Sequence, residues 1–144
     1  MNFLLDTCLI SELVKKAPES RVLAWLDRQE ETSLYLSVLT FGELHKGIGK
    51  LPVSPRRDKL QRWVDNDLAE RFAGRILPLD LTVSCTWGDL QGMAERGGTR
   101  LPVMDSLLAA TALVHGLTVA TRNTVDLVRC QAMVFNPWED QESG

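Results

Sequence analysis

The sequence predicts an α/β fold in which one mostly parallel sheet carries helices on both faces. Short apolar runs of strand length alternate with stretches of helical periodicity, the order that builds a parallel sheet through crossover helices. Those runs are apolar at nearly every position, as strands buried on both faces are. No internal repeat or low-complexity segment interrupts the alternation.

Taken in order, Asn2–Leu5 is too short for a helix and suits a buried central strand that stops at Asp6. Leu9–Val14 reads as a helix closed by Pro18, and Ser20 can cap a second one carrying Val22, Leu23, Trp25 and Leu26. Leu34–Val38 is the second strand. Thr40-Phe41-Gly42-Glu43 then matches a capping box at the start of a helix running to about Lys50, with Pro52 and Pro55 in the loop beyond. Leu60, Trp63, Val64, Leu68 and Phe72 recur at helical spacing. Arg75–Leu79 is a third strand, placed on an edge by Pro78.

Thr82 can cap the next helix, with Val83, Trp87, Leu90 and Ala94 on one side and Gly97-Gly98 at its end. A run apolar on nearly every side, Leu107–Val114, follows Asp105 and stops at Gly116; such a helix must be buried on most faces. Leu117–Thr121 and Ala132–Phe135 are the fourth and fifth strands, and the acidic tail 136–144 is expected to be loose past Trp138.

With 144 residues, 44% hydrophobic and 24% charged, the chain suits one soluble domain spanning 1–144 that buries a core without staples. No apolar run is long enough for a membrane span, and no secretory leader is visible. Three cysteines (Cys8, Cys85, Cys130) without metal-type spacing argue against disulfides and zinc; they fit a reducing cytoplasm and the role of small buried hydrophobes. The net charge of −3 gives no global attraction to nucleic acid. Locally, Lys46, Lys50, Arg56, Arg57, Lys59 and Arg62 face only Asp58, which makes either a solvated surface or one for phosphates or an acidic peptide.

The predicted architecture constrains the acids. In a parallel sheet the strand C-termini and helix N-termini share one edge, where ligands bind in open α/β folds. Asp6 ends the first strand, Glu43 falls in the first turn after the second, Asp105 starts the buried helix, and Asn123 and Asp126 follow the fourth strand. If the second and fourth strands flank the first, each lies about 4.8 Å from it. Several carboxylates in one cleft repel one another, and an oxygen-ligated cation such as Mg²⁺ or Mn²⁺ relieves the conflict. Each acid also has a plain reading: Asp105 as an N-cap, Glu43 as the far half of the capping box. Asp6, ending a central strand, is harder to dismiss. Asp80 reads as a turn or cap residue. Thr7, Ser37 and Thr121 read as hydroxyl donors behind the acids. His45 points elsewhere on its helix, and His115 sits at a helix C-terminus.

The blocks LLDT…SEL, YLSVLTFGEL, LPVMDSLLAATALVHGLTVATRNT and VFNPW resemble the PIN-domain ribonucleases, most of all the VapC-type toxins of the FitB-like branch. The resemblance spans nearly the whole chain. It implies a single PIN domain with strand order 3-2-1-4-5, a cleft that binds Mg²⁺ or Mn²⁺, and hydrolysis of RNA phosphodiesters. It assigns the catalytic and metal-binding acids to Asp6, Glu43 (directly or through water) and Asp105. It implies a homodimer and a cognate antitoxin, a small DNA-binding protein whose C-terminal segment occupies the groove.

The fourth position departs from the pattern. Asn123 stands where the FitB-like sequence has Asp after Thr-Arg, so one negative charge is missing, and either Asn123 or the nearby Asp126 completes the site. Arg122, Lys46 and Lys50 are candidate contacts to RNA phosphates. A PIN-like binding module without turnover is the alternative. A phosphoaspartate receiver lacks its paired acids and late Lys. The helices carrying Trp25 and Trp63 offer either a dimer face or core.

Overall fold

The computed structural model describes residues 1–139. Its strands are β1 (Phe3–Leu5), β2 (Leu34–Ser37), β3 (Ile76–Leu77), β4 (Thr118–Ala120) and β5 (Val134–Phe135). They form one parallel sheet in the order β3-β2-β1-β4-β5, the expected architecture and the expected order. Around it lie α1 (Thr7–Leu13), α2 (Ser20–Arg28), α3 (Val38–Gly49), α4 (Pro55–Arg62), α5 (Ala69–Arg71), α6 (Leu81–Arg96), α7 (Val103–His115) and α8 (Thr124–Arg129).

Strand alternation divides the apolar side chains between two cores. Phe3, Leu5, Leu34, Leu36 and Ala120 face the helices carrying Leu9, Ile10, Val22, Trp25, Leu68 and Phe72. Leu4 and Val119 face the other way, against Leu108, Ala109, Ala112 and Leu127. Because both faces are covered, every position of β1 is buried, which explains a run with no polar residue. Trp25 is core, packed edge-on against Phe3 at 4.9 Å, so it contributes nothing to a dimer face.

Several boundaries differ from expectation because capping residues sit elsewhere. Ser37 Oγ accepts from Leu39 N–H (3.0 Å), so the helix begins at Val38 directly after β2. Thr40 is therefore a buried residue inside α3, and Glu43 lies in its second turn; there is no capping box. Likewise Asp80, not Thr82, caps α6, accepting from Val83 N–H (3.0 Å). Pro55 is no loop residue: Ser54 caps α4, with Pro55 in its first turn. The helical run from α4 to α5 passes through a π-helical turn at Trp63–Leu68, which turns Val64 and Leu68 inward. Helix α1 starts at Thr7, two residues before the expected Leu9, and the six-residue α8 has no counterpart among the elements the sequence predicts. Gly116 stops α7 in the left-handed conformation (φ 65°), as its position implied.

Past β5 the chain stays packed as far as Trp138, which is 7% exposed; the rest of the tail, 140–144, lies outside the described residues. Among the cysteines, Cys130 is buried and Cys8 half-buried, but Cys85 is exposed, on the outer side of α6 from the inward Val83. Burial, with Asp105 and Asp126 nearby, pushes the Cys130 thiol up to about 11. Since only the thiolate reacts, iodoacetamide at pH 8 is expected to label Cys85 and leave Cys130 untouched until the protein is unfolded. Peptide mass mapping checks it, and equal labelling of both would contradict the packing around α8.

Candidate active site

Four chain segments meet at the C-terminal edge of the sheet. Asp6 follows β1 and extends its ladder, its N–H donating to Ala120 O (3.0 Å). Its side chain caps α1: Oδ1 accepts from Thr7 N–H (2.8 Å) and Oδ2 from the Thr121 hydroxyl (2.7 Å). Thr121 is fully buried at the end of β4 and also accepts from Asn123 N–H (2.9 Å). One hydroxyl thus ties the first acid to the loop after β4. From α3, Glu43 accepts from the Thr7 hydroxyl (2.7 Å), with Thr40 Oγ1 3.2 Å from that hydroxyl.

Asp105 enters from α7. It is the third residue of that helix, whose cap position is held by Pro102, so the N-cap reading is corrected. An acid in a first helical turn is favoured by the dipole. Even so, its carboxyl is raised above the usual range, first by burial and then by Asp6, Asp126 and Glu43; the Asn123 amide pulls it back. That amide sits 3.4 Å from Asp105 Oδ2. Asn123 is the N-cap of α8, yet its side chain makes no capping bond and turns to Asp105 instead.

Asp6, Glu43, Asp105, Asn123, Arg122 and Thr7 line one open cleft of about 560 Å³. A larger hollow of about 620 Å³, bounded by Leu90, Met93 and Arg129, contains no carboxylate, so chemistry rather than size marks the site. Asp126 acts on Asp105 through its charge but does not line the cleft. Lys46 and Lys50 line an adjoining hollow with Glu43 and Met104. Ser37, expected behind the acids, caps α3 instead. His45 bonds Asp65 (2.8 Å), away from the cleft, and His115 is the last residue of α7.

Among the described residues no three His, Cys, Asp or Glu groups close into a tight cage. The donors are all hard oxygens, gathered around an Asp105 that burial and the neighbouring acids leave without full compensation. That fits Mg²⁺ or Mn²⁺, which keep several waters and need only one or two direct carboxylates.

Three residues matter here in roles the sequence does not show: Cys8 and Trp87 read only as apolar packing, and Gln91 as nothing in particular. Cys8 lies between Asp6 Oδ2 (3.7 Å) and Thr121 Oγ1 (3.9 Å), its thiol pushed up to about 11 by burial and by Asp6, hence inert. Gln91 and Trp87 on α6 lock the approach to Asp105. Gln91 bonds both the N–H (3.2 Å) and the C=O (2.9 Å) of Leu101, and Trp87 Nε1 donates to Ser106 Oγ (2.9 Å). A polar residue on an amphipathic helix looks solvent-facing in sequence, so only the contacts expose this role.

A protein-family model for the PIN domain matches residues 3–129. The VapC ribonuclease Y4jK of Sinorhizobium fredii is 41% identical over 135 residues, 94% of this chain and 96% of that protein. Toxin FitB of Neisseria gonorrhoeae is 39% identical over 137 residues, 95% of this chain and 99% of its own. Among solved structures, FitAB bound to an IR36 DNA fragment superposes with a TM-score of 0.90 at 35% identity, covering 99% of both chains. With the sheet order, the acidic edge and these likenesses together, the chain belongs to the PIN-domain family.

Proposed function

We propose that this protein is a Mg²⁺- or Mn²⁺-dependent endoribonuclease, the toxin of a toxin–antitoxin pair. The observation that carries the reading is the convergence of Asp6, Glu43 and Asp105, from three distant segments, on one cleft. The names of its relatives, VapC ribonuclease and FitB toxin, support it. Asp6 and Asp105 would hold the cation directly and Glu43 directly or through water, with the Asn123 carbonyl as the remaining oxygen; of the two fourth-position candidates, Asp126 lies outside the cleft lining and would add only its charge. Once bound, the cation supplies charge for the scissile phosphate and lowers the pKa of an attacking water.

The chain's own groups arrange the rest. Thr121 and the Thr7 N–H fix the Asp6 carboxylate, and the Thr7 hydroxyl holds Glu43. Arg122 in the cleft, and Lys46 and Lys50 in the hollow that adjoins it at Glu43, hold flanking phosphates. In-line attack of water on phosphorus breaks the bond to the ribose 3′ oxygen, leaving 5′-phosphate and 3′-hydroxyl ends. An apolar groove lined by Leu44, Leu60 and Trp63 borders Thr7 and Glu43 and suits an antitoxin segment. No helix among the described residues is long and apolar enough to cross a membrane. We assign the protein to the cytoplasm, as a homodimer.

The test is cleavage of single-stranded RNA with Mn²⁺. Cutting is expected with the cation and lost in excess chelator; activity unaffected by chelator would end the metal-dependent reading. Asn123 favours one other reading, a binding module that has lost turnover. Calorimetric titration of Mn²⁺ separates the two, since a silent titration with and without RNA favours the module. Restoring the missing charge with Asn123→Asp is expected to tighten Mn²⁺ binding by about tenfold, given the added Coulomb attraction.

A further inference from the structure

Building on the phosphate role given to Arg122, we propose that Trp138, seated on the buried carboxylate of Glu12, is the positioning residue that holds Arg122 at the mouth of the acid cleft. The Arg122 guanidinium carbon lies 5.5 Å from the indole centroid, within cation–π range. Arg122 directly follows Thr121, the hydroxyl that secures Asp6, so its backbone is fixed while its side chain is exposed. A free arginine beside three carboxylates would fall onto them, filling the site with its own cation. Among the described residues Arg122 makes no ion pair; its partner is the ring.

The seat beneath the ring is built for orientation as well as packing. Glu12 is 4% exposed, an expensive place for a carboxylate. It is held by Lys15 (2.5 Å), Glu19 N–H (3.3 Å) and the indole N–H of Trp138 (3.4 Å). Asn136 Oδ1 accepts from Trp138 N–H (2.9 Å), closing the turn that brings the chain back after β5. An apolar pocket alone would bury a ring in any rotation. A polar anchor at Nε1 selects the one that turns a face toward Arg122. The segment after the last strand thereby reaches the site through Trp138.

The test is a double-mutant cycle of Trp138→Leu and Arg122→Ala, read as KM and kcat for a short single-stranded RNA with Mn²⁺. Each single variant is expected to raise KM, Trp138→Leu by about 2- to 5-fold for a lost exposed cation–π contact, with kcat held. In the Arg122→Ala background the Trp138 change should add nothing. Trp138→Phe, which keeps a ring face but loses the Nε1 anchor on Glu12, should recover only part of the loss and supplies the cycle if the Leu variant does not fold. Additive losses, or a Phe variant as impaired as Leu, overturn the proposal. A chain that cuts no RNA in any form overturns the ribonuclease reading instead. In that case the Arg122 side-chain Nε–Hε resonance decides the clamp: shifted by the indole in the parent and free in Trp138→Leu supports it, unmoved overturns it.

Discussion

Asp6→Asn and Asp105→Asn are each expected to give a folded protein that cuts RNA about 10³-fold more slowly or not at all. A bound divalent ion is worth several kcal/mol of transition-state stabilisation, and each 1.36 kcal/mol is tenfold in rate. Asparagine keeps the shape of the side chain and one acceptor oxygen. At Asp6 that oxygen can still receive the Thr7 N–H that caps α1, and the Thr121 hydroxyl can turn to accept from the new amide. The fold should therefore survive, which circular dichroism checks. Full activity in either variant would remove the foundation of the nuclease reading.

Stability should move in the opposite direction from activity at Asp105. Its carboxyl is raised by burial and by the acids around it, so in the folded state the charged form is disfavoured. A folded pKa above the unfolded one means that ionised Asp105 lowers stability as pH rises through that range. In metal-free buffer Asp105→Asn is thus expected to melt above the parent at pH 7 and level with it at pH 3. Thermal scans at the two values read the difference. A lower melting temperature at pH 7 would mean that the cleft is not repulsive.

The acidic edge was legible because topology does most of the placing. Once strands alternate with helices in a parallel sheet, Asp6 after β1, Asp105 in the first turn of α7 and Asn123 after β4 have nowhere to go but one rim. Glu43 reached that rim for a different reason than expected. A Thr-x-x-Glu pattern fits a capping box, but Ser37 lay three residues nearer the strand and took the cap, leaving Glu43 free to bond Thr7. Helix α8 is too short for periodicity to declare itself against background. The roles of Trp138 and Gln91 depend on partners 126 and 10 residues away, and a single sequence carries no record of such pairs.

Gln91 offers the sharpest test of how α6 serves the site. After Gly97 and Gly98 turn the chain, residues 99–102 climb back along α6: Thr99 N–H bonds Ala94 O (2.9 Å), Leu101 bonds Gln91, and Ser106 meets Trp87. Leu101 is buried, so its peptide groups cannot turn to water once Gln91 is gone. Gln91→Leu, close in volume, leaves a buried donor and a buried acceptor unpaired at about 1–3 kcal/mol each, and the variant is expected to lose about 2–5 kcal/mol of unfolding free energy in urea. Asp105 stands four residues past Leu101, on the turn this amide holds. Because a misplacement of about 1 Å can cost roughly 10²-fold in rate, RNA cleavage at a temperature where the variant is still folded should fall by about that factor. A variant within about 0.5 kcal/mol of the parent, the range of an ordinary surface change, would show that Gln91 does not brace the turn. A stable variant with parental cleavage would show in addition that α7 holds Asp105 in place without help from α6.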